Sequence, residues 1–128
     1  MEKKFEPKKI VVDVQVYDLD RAIGFYRDVL ELPLLHRADD WGSFEVGGAE
    51  IHLYLHGGVE YGIEFFVHDI YESVDYLKSK GLVFFVEPTQ ANCLGTESNE
   101  IMLFPWGKTA LFKDSEGNQL ALIEERQL

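Results

Sequence analysis

Side chains able to do chemistry recur in this sequence at every second position of short apolar segments. Asp13 and Gln15 alternate with Val12, Val14 and Val16; Glu50, His52 and Tyr54 alternate with Ile51, Leu53 and Leu55; Glu64 and Phe66 alternate with Ile63, Phe65 and Val67. A period of two puts each set on one face of a β-strand, with the apolar set packed beneath helices on the other. Carboxylates beside an imidazole can ligate a divalent metal, exchange protons as an acid–base pair, or neutralise a cation. Tyr54 and Phe66 weigh against a plainly solvated face, because large apolar groups interleaved with acids suit the wall of a ligand cleft. His52 also has a quieter reading, as a cleft-wall histidine bonded to Glu50 or Glu64.

The elements that must carry these residues occur twice. Val16, Asp18, Leu19, Ala22, Ile23 and Phe25 recur as Val67, Asp69, Ile70, Ser73, Val74 and Tyr76 at a constant offset of 51 residues. Each copy predicts a strand, a short helix begun by an Asp cap, and further strands. Leu19, Ala22, Ile23, Tyr26, Val29 and Leu30 give the first helix one apolar face, and the second runs from about Tyr71 to Lys80 before Gly81. Strands are expected over Leu34–Arg37, Trp41–Val46 and Ala49–Leu55, with Gly47-Gly48 as a hairpin turn, then over Val83–Val86, Thr109–Lys113 and Gln119–Glu124, with "DSEGN" as the last turn. Glu87 to Gly107 is expected to be a long irregular stretch, a lid or binding loop, with the apolar run "NEIMLFPWG" covered by a second subunit. The pattern is α+β: one domain over 1–128, with a first βαβββ module over 10–56 and a second over 62–125.

Bulk composition narrows the partners. Twelve Lys and Arg against 23 Asp and Glu leave a formal net charge of -11, a field that repels nucleic acid and anionic membranes and attracts cations. No apolar run approaches the ~20 residues of a membrane span. The basic start is followed by an apolar run that Asp13 cuts short, unlike a signal peptide, so a cytoplasmic protein is expected. Cys93 is the single cysteine, which excludes an internal disulfide and a thiolate metal cluster, and "QANCLGT" offers it no base. There is no nucleophile elbow, phosphate-binding loop or zincin motif.

The paired βαβββ units, "VYDLDRAIGFY" and the terminal "FKDSEGNQLALIE" resemble the vicinal oxygen chelate superfamily, the group of glyoxalase I, extradiol dioxygenases and bleomycin resistance proteins. The resemblance runs from about Ile10 to Glu125. It implies a glyoxalase/bleomycin resistance fold, two modules forming a curved, cup-like mixed sheet, usually in a homodimer. Metal enzymes of this family place one ligand on each of four strands. By motif spacing these positions fall on Val11, His52, Gly62 and Ala121, of which only His52 can bind a metal. A divalent centre needs about three protein ligands, so the resemblance implies no metal, no cofactor and no catalytic residue of the usual kind.

What remains resembles the metal-free bleomycin resistance proteins, which sequester a cationic drug in an acidic, aromatic-lined groove. "PWGKTALFKDSEGNQL" resembles a segment of theirs whose Trp lines that groove, which makes Trp106 the foremost candidate contact. Tyr54, Phe66 and Phe104 would add stacking surface; Asp13, Glu50 and Glu64 would supply negative charge; Gln15 and His52 would orient the guest. The expected partner is a small cationic or aromatic molecule such as an antibiotic. Two alternatives stand beside this. One is a lyase, isomerase or dioxygenase with a displaced metal site at Asp13, His52 and Glu64; the other is an interaction module whose cup is filled by its own side chains.

Overall fold

The structure, a computed structural model, describes residues 8–127; part of the basic leading stretch lies outside them. Backbone contacts divide the chain into two compact units, one ending at Val59 and the other beginning at Glu60.

In the first unit, β1 (Val11–Gln15) leads into α1 (Leu19–Gly24), followed by β2 (Leu34–Arg37), β3 (Trp41–Val46) and β4 (Ala49–Tyr54). Asp18 begins α1 as the repeat predicts: its backbone is extended and its carboxylate accepts from the Arg21 amide. That interaction satisfies one of the donors a helix start leaves open. The helix continues through a π-helical turn over Phe25–Val29, closed by the Leu30 amide donating to the Phe25 carbonyl. Leu19, Ala22, Ile23 and Tyr26 are buried with Val14, Val16, Phe44, Ile51 and Leu53, so the amphipathic face is the core face. The sheet order is β1-β4-β3-β2, with β1 parallel to β4. Gly47 and Gly48, both at positive φ, make the β3–β4 turn.

The other edge of β1 is covered by a strap. Val59 donates to the Asp13 carbonyl and accepts from the Gln15 amide at 2.8 and 3.1 Å. Gly58, at φ +139, permits this approach, because a Cβ there would lie 2.7 Å from the backbone of residues 13–15.

The second unit repeats the plan with additions. It comprises β5 (Tyr61–Phe66), α2 (Ile70–Ser79), β6 (Phe84–Phe85), β7 (Gly95–Glu97), β8 (Ile101–Phe104), β9 (Gly107–Lys113) and β10 (Gln119–Glu125). Asp69 caps α2 through the Glu72 amide, and Glu124 accepts from the Ile70 amide. The main sheet path is β5-β10-β9-β8-β7, with β6 also pairing β9. In the last turn, buried Asp114 accepts from the amides of Glu116 and Asn118.

One expectation fails here. The stretch after Glu87 is not irregular throughout: β7 and β8 form a hairpin around Ser98 and Asn99, both at positive φ. Ile101, Met102 and Phe104 of the run expected to be a covered loop are buried as strand residues. On β10, Leu120, Ala121, Leu122 and Ile123 are all buried.

Candidate functional site

The two units carry the candidate residues on equivalent strands. Parallel pairing sets Asp13 beside His52 on β1 and β4, and Glu64 beside Ala121 on β5 and β10. The offset of 51 makes Asp13 and Glu64 counterparts, and the pairing register makes His52 and Ala121 counterparts in turn.

On the first unit's face the side chains are engaged with one another. Glu50 Oε1 accepts from His52 Nε2 at 2.9 Å, and His52 Nδ1 lies 3.3 Å from the Tyr54 hydroxyl. A proton on Nε2, as Glu50 requires, leaves Nδ1 to accept from Tyr54. Of the two quieter partners foreseen for His52, the structure selects Glu50. Trp41 closes the row, its ring 5.0 Å from His52 and stacked on Tyr54 at 5.9 Å, with His36 at 6.4 Å beyond it. Glu50, whose side chain is 17% exposed, also holds Lys9 Nζ at 2.5 Å. Lys9 first and His52 second hold its carboxyl below the usual carboxylate range. Gln15 turns its amide nitrogen to the carbonyls of Val16 and Leu55, at 2.8 and 3.1 Å. Asp13 is exposed.

The second unit's equivalent face is hollow. A cleft of about 170 Å³ opens there, walled by Glu64, Gln119, Phe104, Trp106, Thr109 and Leu111, with Gly62 and Ala121 also on its surface. Trp106 occupies the second position of a two-residue turn, since Phe104 pairs with Gly107 across the β8–β9 hairpin. Gly107 is required because a Cβ there would strike the Glu124 carbonyl. The Arg126 amide donates to the Trp106 carbonyl at 2.8 Å and ties the turn to the C-terminal strand. The indole, 48% exposed, stacks on buried Phe104 with centroids 4.8 Å apart and planes at 11°. One face of the pair is thus spent internally, while the indole keeps accessible surface.

Of the sequence candidates, Trp106, Phe104 and Glu64 meet in this cleft. Phe66 instead lines a separate depression of about 160 Å³ with His68 and Glu124. Asp13, Gln15, Glu50, His52 and Tyr54 belong to the first unit's face. Sequence reasoning missed Thr109 and Leu111. Their alternation on β9, opposite Ile123 and Ala121, is the signal that would have placed them on this wall.

The family's metal positions are testable on the same wall. Gly62 and Ala121 line the cleft, and neither side chain has a donor atom. Gly62 is also the extra residue of a β-bulge, at φ +104, where Tyr61 and Ile63 face the consecutive Gln119 and Leu120. A ligating side chain there would strain the backbone. Among the described residues no group of three or more His, Cys, Asp or Glu is placed to hold a metal ion. The residues present do not fit the family's metal.

The family model described as the Glyoxalase/Bleomycin resistance protein/Dioxygenase superfamily matches residues 10–122. No curated protein sequence matches the chain. Among solved structures, an antibiotic binding protein, TnmS3 from Streptomyces sp. CB03234, is similar with a TM-score of 0.74 at 18% identity, over 98% of this chain and 100% of that one. A lactoylglutathione lyase from Agrobacterium tumefaciens gives 0.72 at 18% identity, over 90% and 91%. A member of the glyoxalase/bleomycin resistance protein/dioxygenase superfamily from Sphaerobacter thermophilus gives 0.70 at 20% identity, over 94% and 98%. At such identities the likeness is one of fold, and a binder and an enzyme stand side by side in it.

Proposed function

The chain belongs to the Glyoxalase/Bleomycin resistance protein/Dioxygenase superfamily, and on that premise we propose that it is a metal-independent binding protein that sequesters a small cationic or aromatic molecule, such as an antibiotic. The observation that carries this reading is the second unit's cleft, with an aromatic pair on its wall and hydrogen and methyl where the family's metal enzymes carry ligands. No bond is made or broken. The guest stacks on Trp106 beside Phe104, and Glu64, which makes no ion pair among the described residues, offsets its charge. The net charge of -11 raises the local concentration of cations. Asp13, Gln15, Glu50, His52 and Tyr54 on the first unit's face, and Phe66 in its own depression, stand apart from this cleft as separate candidate contacts. The likeness to an antibiotic binding protein accords with this class of guest.

We further propose a cytoplasmic homodimer. Tyr61 and Phe66 on β5 are 73% and 60% exposed, aromatic surface that suits a subunit contact. Sedimentation at equilibrium tests this, and a monomer at all concentrations removes it.

The test of function is tryptophan fluorescence on titration with a cationic glycopeptide antibiotic. Saturable quenching that Trp106→Phe removes supports sequestration, and a flat titration at micromolar drug overturns a glycopeptide as the guest while leaving a binder of another molecule standing. The enzyme alternative, with metal displaced to Asp13, His52 and Glu64, is disfavoured because both ring nitrogens of His52 are occupied. Protein soaked in Mn, Fe(II), Ni or Zn and then desalted is expected to retain no stoichiometric metal. Retention that His52→Ala abolishes would restore the enzyme reading.

A further inference from the structure

Three polar side chains reach the second unit's cleft without a partner among the described residues. Glu64 and Gln90 are exposed and Gln119 is half-buried, and all three line the cleft with Trp106. None of the three side chains makes a hydrogen bond or ion pair among the described residues. Gln90 is what the stretch after Glu87, expected to be a binding loop, brings to this wall. Its amide donates to the Glu87 carbonyl at 3.0 Å and its carbonyl accepts from the Cys93 amide at 3.1 Å. The backbone is thus fixed at the cleft while the side-chain carboxamide keeps both its donor and its acceptor.

The wall is charged at one end and not at the other. Glu64 faces Ala121, and Gln119 stands two residues before Ala121 on β10. The Glu64 and Gln119 backbones are therefore about 5 Å apart across the strands and about 7 Å apart along them. Opposite Gln119 on β9 stands Lys113, with its Nζ 5.9 Å from the centre of the Phe85 ring. A second cation brought to this end meets like charge, and a neutral group does not. A glutamine carboxamide presents an N–H donor and a carbonyl acceptor side by side. The group that satisfies both at once is another flat donor–acceptor edge, as when a glutamine pairs with the edge of an adenine. A few such polar groups converging on an aromatic wall are the usual make-up of a small-molecule site.

We propose that Gln119 and Gln90 read a neutral carboxamide or lactam edge on the guest, whose flat ring lies against Trp106 and whose cationic end meets Glu64. This rests on the reading of the cleft as the binding site and adds the class of guest, an aromatic cation that also carries an amide. Gln119 and Gln90 are specificity-determining residues, while Trp106 and Glu64 supply the affinity common to flat cations.

Titration calorimetry with 4-amidinobenzamide and 4-acetylbenzamidine tests this. The two share ring, cation and carbonyl, and differ in an NH2 group where the second has a methyl. The unaltered protein is expected to bind the carboxamide about fivefold more tightly, the worth of one net hydrogen bond. Gln119→Met and Gln90→Met should each reduce that preference, and the double variant should bind the two compounds equally. Equal affinities in the unaltered protein, or a preference surviving in the double variant, overturn the amide subsite and leave the aromatic cleft standing. Tighter binding of 4-amidinobenzoate than of the carboxamide would give this end to Lys113 and overturn the subsite as well. Saturation by none of these amidines at millimolar concentration overturns the cleft itself, and the subsite with it. A ligand-free measurement is independent of these: unengaged carboxamides predict that the double variant melts no lower than the unaltered protein. A lower melting temperature means that the carboxamides are engaged within the fold and overturns the proposal.

Discussion

The two units are built to one plan and use it differently. Their helices start on the same residue type in nearly the same conformation, Asp18 at φ -133 and ψ 105, Asp69 at φ -136 and ψ 102. Their sheets pair the first strand parallel to the last, with Asp13 beside His52 in one and Glu64 beside Ala121 in the other. On the first unit's face, Glu50, His52, Tyr54 and Trp41 satisfy and stack on one another. On the second's, a methyl stands where His52 stands, a glycine bulge interrupts β5, and a cleft opens beneath Trp106. The difference teaches that this scaffold does not itself decide whether a sheet face is filled or hollow. His52 occupies on the first face the pairing position that Ala121 holds on the second, while the Asp caps and the parallel pairing of first and last strand are shared.

The strongest way to break the comparison is to strip β1 of its strap. Among the described residues β5 pairs only with β10, whereas β1 is flanked by β4 and by Val59. Gly58→Ala pushes a methyl into the backbone of residues 13–15 and removes both hydrogen bonds of Val59. A loss of about 3 kcal/mol in urea unfolding is expected, from the disfavoured φ and the broken pairing together. A loss below about 0.5 kcal/mol would show that the strap contributes little. Next in size is Trp106→Ala, which removes the hollow face's stacking surface. It should weaken binding of a flat cation about thirtyfold, from lost aromatic contact and buried area. His52→Ala in the filled face sharpens the contrast: affinity unchanged within about twofold would confine the guest to the second unit, and a larger loss would extend the site to the first.

What could be read in the sequence was local. The Asp caps, the Gly47-Gly48 turn, the "DSEGN" turn and the repeat offset depend on a few adjacent residues, and the structure holds them all. The hairpin of β7 and β8 was not legible, because Ser98 and Asn99 turn it in a conformation that these residues adopt without announcing it, and an apolar run flanked by acids reads as a loop. On the site, period-two alternation brought Glu64, and the family's motif spacing brought Gly62 and Ala121, to the wall where Trp106 and Phe104 meet. It did not separate Phe66 from them, although both Glu64 and Phe66 point from one strand face, because alternation says nothing of where along a strand a cleft ends. Nor did it reveal that Gln15 spends its amide on carbonyls at the strand's end, or that Thr109 Oγ1 has no hydrogen-bond partner among the described residues. Those are facts of who lies within hydrogen-bonding reach, which only packing determines.

The caps offer a comparison at smaller scale. Asp18→Ala and Asp69→Ala each remove one carboxylate from a helix start and should cost about 1 kcal/mol apiece. Asp69→Ala should cost the less, because Glu124 still accepts from the Ile70 amide in the second unit. Equal losses in urea unfolding would mean that Glu124 adds nothing to the start of α2.

The smallest expected effect is electrostatic and belongs to the filled face alone. Glu50 is held below its ordinary carboxyl range, chiefly by Lys9 and then by His52. A carboxyl whose value is lower in the folded state than in the unfolded chain releases its proton more readily when folded. Its contribution to stability is therefore complete above the unfolded value, about 4.3, and fades as pH falls through the lower folded value. Glu50→Gln should leave a protein whose urea midpoint is slightly lower than the unaltered protein's at pH 7. The two midpoints should converge as the pH drops below that of an ordinary carboxyl. Curves for Glu50→Gln and the unaltered protein that stay parallel down to the acid limb would mean that the Lys9–Glu50–His52 row is surface ornament, and that stacking of Trp41 on Tyr54 alone fills the first unit's face.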